Sequence, residues 1–217
     1  MTASRLPTWP HSGHLMDPST VPLATFDRLF ASSSDPWRFK DRWYEARKRA
    51  LTLACLPRAR YRSGYEPGCA NGELSAALAE RCDRLLVADC TTAAVELARQ
   101  RVAEQPHVRV ERALLPQDWP QEVFDLIVIS EIAYYLTAPA LADLAAKARG
   151  SLQAGGDIVA CHWRHPIDGC PLGGDAVHGN LSRWLDLPCI WSLSDPDFVL
   201  QVWSTDTRSV GNRERLA

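Results

Sequence analysis

Several features that would indicate other protein classes are missing from this chain of 217 residues. No apolar run is long enough to span a membrane, and residues 1–15 lack the apolar stretch of a signal peptide. The seven cysteines include no C-x-x-C pair, which favours reduced thiols over a disulfide framework. The formal net charge is −2, which argues against a protein that binds nucleic acid mainly through its phosphates. We therefore expect a cytoplasmic protein with no membrane partner and no nucleic-acid partner.

The sequence does contain enough apolar residues for one substantial domain, since hydrophobic residues make up 46% of it. Strand candidates alternate with helical patterns, which predicts βαβ units and a parallel sheet. These strand candidates are 63–67, 85–89, 108–111, 124–130 and 157–162. We predict an N-terminal arm over 1–34 and a single domain over 35–217. Within that domain we expect a lid-like helix (35–56), a ligand-binding core (61–162), an acceptor loop and helix (163–187) and a closing hairpin (188–205).

The helix over 35–56 has a recognisable start, because Asp35 can act as N-cap and Pro36 fits the first helical position. Its aromatic residues allow two interpretations. The helix either covers a site as a lid or simply packs its rings on the sheet.

A turn of small residues follows the first predicted strand, in the sequence Glu66-Pro67-Gly68-Cys69-Ala70-Asn71-Gly72. Small residues let a ligand approach the backbone, and the next helix offers its free N–H groups. The dinucleotide pattern G-x-G-x-x-G would need a small residue at Glu73, and no Gly-Lys-Ser/Thr follows to make a P-loop. Asp89 closes the second strand, where a carboxylate can bind both ribose hydroxyls. Its alternative role is to cap the helix that begins near Thr91.

The sequence resembles the class I S-adenosylmethionine-dependent methyltransferases. The resemblance is carried by the 66–72 turn, Asp89, the 124–131 stretch and Gly155-Gly156 before the fifth strand. The resemblance implies an α/β, Rossmann-like, seven-stranded and mostly parallel sheet, in the order 3-2-1-4-5-7-6 with strand 7 antiparallel and helices on both faces. It implies S-adenosyl-L-methionine as cofactor and S-adenosyl-L-homocysteine as product. The implied cofactor-binding residues are Glu66, Gly68, Ala70, Gly72, Asp89, Leu114, Leu115 and Ser130.

One departure from the family pattern concerns the adenine. The Asp that usually follows the third strand is absent, since Ala113, Leu114 and Leu115 stand there. Adenine contacts would then come from backbone N–H groups or from Asp118 and Trp119.

A narrower resemblance is carried by four short motifs, which are Asp35-Pro36-Trp37, Gly68-Cys69, Ser130-Glu131 and Tyr134-Tyr135-Leu136. They are similar to the NodS-type nodulation N-methyltransferases, a branch that methylates amino groups of small, sugar-like molecules. The chain also resembles the phosphonate O-methyltransferases of the dehydrophos antibiotic pathway, which are similar to the same branch. The expected partners are a small-molecule acceptor and, in a homodimer, a second copy of the chain.

The acceptor should bind beyond the carboxyl ends of strands four and five, where an open α/β sheet forms its crevice. The candidate catalytic residues are Glu131, His162 and Arg164, and the candidate acceptor-binding residues are Tyr44, Tyr134, Arg164, His165, His178 and Arg183. Arginine forks bind phosphate and carboxylate oxygens, so our first hypothesis is O-methylation of an anionic phosphonate or carboxylate. Glu131 instead suits an amine, which makes N-methylation the alternative.

Two further alternatives concern other classes of protein and site. A non-catalytic adenosyl-binding regulator could keep the same fold, although the intact turn and Asp89 argue against it. The spacing of His162, His165, His178 and Cys170 matches no structural zinc pattern. We therefore predict no metal site.

Overall fold

One seven-stranded sheet organises the chain in the computed structural model, which describes residues 21–215. Its strand order is β3-β2-β1-β4-β5-β7-β6. Strands β1 to β5 run parallel, and β7 is antiparallel to both β5 and β6. The strands are β1 (Gly64–Pro67), β2 (Leu85–Asp89), β3 (Val108–Arg112), β4 (Phe124–Ser130), β5 (Leu152–Trp163), β6 (Cys189–Ser194) and β7 (Phe198–Ser204). The predicted fold class and strand order are confirmed.

Helices cover both faces of the sheet. The side chains of the central strand β4 accordingly alternate between two buried cores, one on each face. Leu126 and Val128 belong to one buried cluster, whereas Ile127 and Ile129 belong to the other. A parallel sheet needs such cover on both faces. The helices are α1 (Leu23–Ser32), α2 (Trp43–Ala54), α3 (Glu73–Ala79), α4 (Thr92–Arg101), α5 (Ala138–Gly150), α6 (Gly174–Leu185) and α7 (Val210–Glu214), with a 3-10 turn at Ala133–Tyr135. Within residues 21–215, no helix is both long enough and apolar enough to cross a bilayer.

The helix predicted over 35–56 begins later than expected, at Trp43. The Asp35 carboxylate does accept backbone hydrogen bonds, from Phe39 (2.8 Å) and Lys40 (3.0 Å). However, Arg38 has a φ of 60°, which no right-handed helix tolerates. Asp35 therefore caps a separate turn ahead of α2. The predicted helical start was wrong because a capping residue stabilises an isolated turn as well as a helix.

Other boundaries also differ from prediction. Helix α6 begins at Gly174 instead of 179, so His178 lies in a helix. Gly155 and Gly156 lie inside β5 and do not precede it. A Cβ on Gly156 would lie 2.9 Å from the Gln153 carbonyl oxygen, so glycine is needed for the course of the strand. Most of the predicted arm over 1–34, residues 1–20, lies outside the described residues; its remainder contains α1.

Candidate active site

The turn after β1 is held by the neighbouring strand. The amides of Gly68 and Cys69 both donate to the Ala88 carbonyl oxygen, at 2.7 and 2.9 Å. Gly68 has a φ of 78°, and a Cβ there would overlap the side chain of Ile132. Gly72, with a φ of 81°, is the residue from which α3 starts. Glycine is therefore required at both positions for conformational reasons.

Asp89 ties this turn to the end of β2. Its Oδ2 accepts from the Ala70 amide (3.0 Å) and its Oδ1 from the Thr91 amide (3.1 Å). Thr91, and not Asp89, caps α4, because its hydroxyl accepts from the Ala94 amide. Burial raises the pKa of Asp89, while the bonds from Thr91 and Ala70 act in the opposite direction. Asp89 also lines a cavity at the carboxyl ends of the strands. Its role as the ribose ligand stays a prediction.

Glu66 and Asn71 are buried, and each has one side-chain oxygen without a hydrogen-bond partner among the described residues. Glu66 Oε2 has no hydrogen-bond partner there, and burial raises the pKa of Glu66 to about 8. Asn71 donates from Nδ2 to Asp35 Oδ1 (3.0 Å), and its Oδ1 has no partner there. Buried polar atoms of this kind call for a ligand or water. A carboxylate and an amide oxygen suit the ammonium of the methionine moiety, so these residues fit S-adenosylmethionine.

A cavity of about 650 Å³ lies at the carboxyl ends of the strands. This is the usual size of a site for a small organic ligand. The predicted cofactor residues that line it are Glu66, Gly68, Ala70, Asp89, Leu114, Leu115 and Ser130; Gly72 shapes the turn without lining the cavity. The aromatic wall of the cavity includes Trp37, Phe39 and Tyr44, which lie in the segment predicted as a lid. Sequence reasoning missed Phe26 and Phe30, which α1 contributes.

A cluster of buried charges lies at the end of β4, two strands away from Asp89 at the end of β2. Glu131 follows β4 with a φ of 60°, and its Oε2 accepts from the Tyr134 hydroxyl (2.8 Å). The ammonium of Lys48 lies 3.6 Å from Glu131 Oε1 and 3.1 Å from Glu45 Oε2. Lys48 and Glu45 come from α2, and the sequence analysis did not select them. The sequence signal that could have identified them is the i, i+3 spacing of Glu45 and Lys48, next to Tyr44.

These charges influence one another strongly because they are buried. Burial lowers the pKa of Lys48, but Glu131 and Glu45 outweigh it, so that its pKa is raised and it stays an ammonium. Burial raises the pKa of Glu131, although Lys48 and Tyr134 oppose this. When both carboxylates are ionised, the cluster of Glu45, Lys48 and Glu131 carries one net negative charge. Such a cluster attracts a cation and can accept a proton.

His162 and His178 form a buried hydrogen-bond chain and do not line the cavity. The Ala133 amide donates to His162 Nε2 (3.2 Å), so the hydrogen-bond network assigns the proton of His162 to Nδ1. That Nδ1 lies 3.2 Å from His178 Nε2, and His178 Nδ1 lies 2.7 Å from Gln201 Oε1. Burial lowers the pKa of both rings, that of His178 to about 4. Both therefore stay neutral and hold the turn that follows Glu131.

The other predicted anion-binding residues are also outside the cavity lining. Arg164 pairs with Asp175 (3.1 Å) and donates to the Ser194 hydroxyl (2.8 Å). His165 Nε2 lies 2.9 Å from Asp197 Oδ1, and Arg183 is exposed on α6. The structure therefore does not bring these side chains together as an anion pocket. Tyr44 and Tyr134 do line the cavity.

No group of three or more His, Cys, Asp or Glu side chains in the described part of the chain is arranged to hold a metal ion.

Comparisons with known proteins agree with this fold. The family model for nodulation protein S (NodS) matches residues 27–152, more than half of the chain. Nodulation protein S of Sinorhizobium fredii is 30% identical over 154 residues, which are 70% of this chain and 66% of that protein. The matches to curated relatives span between 44 and 66% of those proteins' own lengths.

Solved structures share the fold over most of their own length. A presumed methyltransferase from Pseudomonas syringae is 55% identical, with a TM-score of 0.68 over 75% of this chain and 99% of that one. The N-methyltransferase NodS of Bradyrhizobium japonicum WM9, in complex with S-adenosyl-L-homocysteine, is 26% identical, with a TM-score of 0.72 over 83% of this chain and 96% of that one. The chain belongs to the NodS family of class I S-adenosylmethionine-dependent methyltransferases.

Proposed function

We propose that this chain transfers a methyl group from S-adenosylmethionine to the nitrogen of a small amine. The observation that carries the proposal is the charge of the cavity. Among the described lining residues six are acidic and three are basic. The acidic residues are Glu45, Glu66, Glu73, Asp89, Glu131 and Asp197; the basic residues are Arg42, Lys48 and Arg49. Three of the acidic residues (Glu66, Glu73 and Asp89) lie on the cofactor side. At the acceptor side the decisive group is Glu131, because its buried Oε1 has no hydrogen-bond partner among the described residues and favours a cationic acceptor over a phosphonate or carboxylate.

Two further points support nitrogen over oxygen as the acceptor atom. The hypothesis of O-methylation depended on Arg164, His165 and His178, and none of them lines the cavity. The NodS protein of Bradyrhizobium japonicum WM9 is described as an N-methyltransferase. The non-catalytic alternative has no support from the site, because Glu131 lies in the cavity with a proton-accepting carboxylate.

Glu131 is the base in this proposal. S-adenosylmethionine, when bound, supplies an electrophilic methyl carbon for in-line attack. An ammonium acceptor must first lose a proton so that its nitrogen has a free lone pair. Glu131 can take that proton on Oε1, while the Tyr134 hydroxyl keeps Oε2 in place at 2.8 Å. Lys48, at 3.6 Å, favours the ionised form of Glu131 and so opposes the burial that raises the pKa of Glu131. The surrounding side chains hold the acceptor for attack, and this positioning supplies much of the rate.

Glu131→Gln tests this role, because it removes the base while keeping the shape of the side chain. We expect kcat for an amine acceptor to fall by about a hundredfold, with cofactor affinity retained in calorimetry. The activity should partly return as the pH approaches the pKa of the amine, because the neutral amine needs no base. Glu96→Gln, at an exposed position on α4, is the matched control and should behave like the wild type. A Glu131→Gln enzyme with unchanged kcat would show that Glu131 is not the base.

A further inference from the structure

Asp35, the first residue of the Asp35-Pro36-Trp37 motif, connects its own turn with the cofactor turn after β1. Its carboxylate accepts three hydrogen bonds. Two come from backbone amides of its own turn, those of Phe39 (2.8 Å, on Oδ1) and Lys40 (3.0 Å, on Oδ2). The third comes from the side chain of Asn71, whose Nδ2 lies 3.0 Å from Asp35 Oδ1. One carboxylate thus joins two turns that are far apart in the sequence.

The turn that carries Asp35 is held from the side of α2, by contacts that do not include Asn71. Arg49 of α2 donates from Nη1 to the Phe39 carbonyl oxygen at 2.7 Å. The rings of Trp37 and Phe39 pack against each other, with centroids 5.6 Å apart. Because the carboxylate is held in this way, its position constrains the Asn71 amide.

The carboxylate of Asp35 determines which way the Asn71 amide faces. A carboxylate only accepts hydrogen bonds, so the network assigns the NH₂ group of Asn71 to Asp35 and leaves the amide oxygen for another partner. Asn71 is 2% exposed and lines the cavity, and its Oδ1 has no hydrogen-bond partner among the described residues. An amide turned over would present N–H donors in place of that oxygen. Asp35 therefore sets the sign of the partial charge that a ligand meets at Asn71.

An oxygen at this position suits the α-ammonium of the cofactor and not its carboxylate. Glu66, near the end of β1, also lines the cavity with a buried oxygen that has no partner in the described part of the chain. Two acceptors call for a donor with several N–H groups, and an ammonium has three. Hydrogen bonds to a charged group are among the stronger ones in proteins. The orientation of the Asn71 amide should thus contribute directly to cofactor affinity.

We infer that Asp35 is a positioning residue for the cofactor, because it holds the Asn71 amide with its oxygen available to the α-ammonium of S-adenosylmethionine. Asp35 does not line the cavity itself, and it acts through Asn71. This role belongs to the binding of the methyl donor, so it is independent of whether the acceptor atom is nitrogen or oxygen.

Calorimetry with two ligands separates this role from a purely structural one. The ligands are S-adenosyl-L-homocysteine and 5′-S-(3-carboxypropyl)-5′-thioadenosine, which is the same molecule without the α-amino group. In the wild type we expect the Kd of the second ligand to exceed that of the first by about a hundredfold, because two buried acceptors lose their charged donor. In Asp35→Ala this ratio should fall by about tenfold, since the Asn71 amide is no longer held. Loss of the capping bonds alone would weaken both ligands equally and leave the ratio unchanged.

Asn71→Ala tests the same amide without removing the two backbone bonds of Asp35. It should lower the ratio of the two Kd values as Asp35→Ala does. The double variant should lower the ratio no further, because the two residues act as one unit. Asp41→Ala is the matched control, since Asp41 is exposed in the same segment and does not line the cavity. Both of its Kd values should equal those of the wild type.

Three results would overturn the positioning role of Asp35. They are equal losses of affinity for both ligands in Asp35→Ala, additive losses of the ratio in the double variant, and a wild type that binds both ligands equally. The assay contains no methyl acceptor, so each of these results leaves the proposed N-methylation standing.

Discussion

Glu66 shows at the scale of a single residue how the cofactor site is prepared. Its carboxyl is buried at the end of β1, and Oε2 has no hydrogen-bond partner among the described residues. Burial raises its pKa from an ordinary 4.5 to about 8. In the protein without cofactor, Glu66 is thus mostly protonated at neutral pH, and an ammonium beside it would favour the ionised form.

The raised pKa of Glu66 predicts a pH dependence of stability. Because its folded-state pKa lies above the unfolded value, the folded protein binds the extra proton between about pH 4.5 and about 8. Its contribution to stability is therefore complete below this window and is lost as the pH rises through it. Glu66→Gln cannot ionise at this position, so this variant does not lose that stability as the pH rises. We expect the stability of Glu66→Gln relative to wild type to rise by on the order of 1 kcal/mol per pH unit across the window.

Denaturant unfolding without cofactor at several pH values measures this difference. Glu80→Gln, at the exposed end of α3, should follow the wild type throughout. Parallel stability curves for wild type and Glu66→Gln would contradict the assigned protonation of Glu66.

Residues differ in how far the sequence reveals their role. Gly68, Gly72 and Asp89 were identified from the sequence because their spacing is local and their backbone requirements are strict. Lys48 and Glu45 were not, because their meeting with Glu131 depends on how α2 crosses the end of β4. Arg164 and His165 were predicted to bind an acceptor, but tertiary contacts with Asp175 and Asp197 place them outside the cavity lining.

At the scale of elements, the short turn at Ala133–Tyr135 connects the buried histidines with the site. The chain from Gln201 through His178 and His162 ends on the Ala133 amide. It therefore joins β7, α6 and β5 to the turn that follows Glu131 and carries Tyr134. Val21, just before α1, donates to the carbonyl of Tyr135 at 2.9 Å. The position of this turn thus depends on elements that are distant in sequence.

Breaking the histidine chain should displace Glu131 without disturbing the cofactor turn. In His178→Leu we expect kcat to fall by about tenfold, because small displacements of a catalytic group are costly. Cofactor affinity should change little. The free energy of unfolding should also fall by about 1–3 kcal/mol, since polar partners are left buried and unpaired.

Steady-state kinetics, calorimetry with S-adenosylhomocysteine and denaturant unfolding check this prediction. Arg183→Ala, on the exposed side of the same helix, should leave all three unchanged. If His178→Leu lost stability but kept a normal kcat, the histidine chain would serve stability alone and would not position Glu131.

Element boundaries show where local sequence signals stop being sufficient. Both ends of β2 and both ends of β4 were predicted correctly from short apolar runs with clear limits. The starts of α2 and α6 were not, because capping residues and glycines permit several turns. Arg38 with positive φ, in particular, cannot be inferred from its residue type.

At the scale of the whole molecule, the alternation of strands and helices was enough to predict a parallel sheet. The strand order came from the family resemblance, which the order of the glycine turn, Asp89 and the later motifs along the chain revealed. The cavity was less predictable, since part of its aromatic wall comes from α1, which lies against the carboxyl ends of the strands. The charge cluster around Glu131, which favours an amine, likewise emerges only when distant segments come together.

The measurement that tests the account most directly is the identity of the methylated atom. The wild-type enzyme is incubated with S-adenosylmethionine carrying a ¹³C-labelled methyl group and an equimolar mixture of 2-phenylethylamine and 2-phenylethylphosphonic acid. We expect NMR to show a labelled N-methyl group, and the signal should be strongly reduced with Glu131→Gln. A labelled O-methyl ester of the phosphonic acid, with no N-methyl product, would contradict the account.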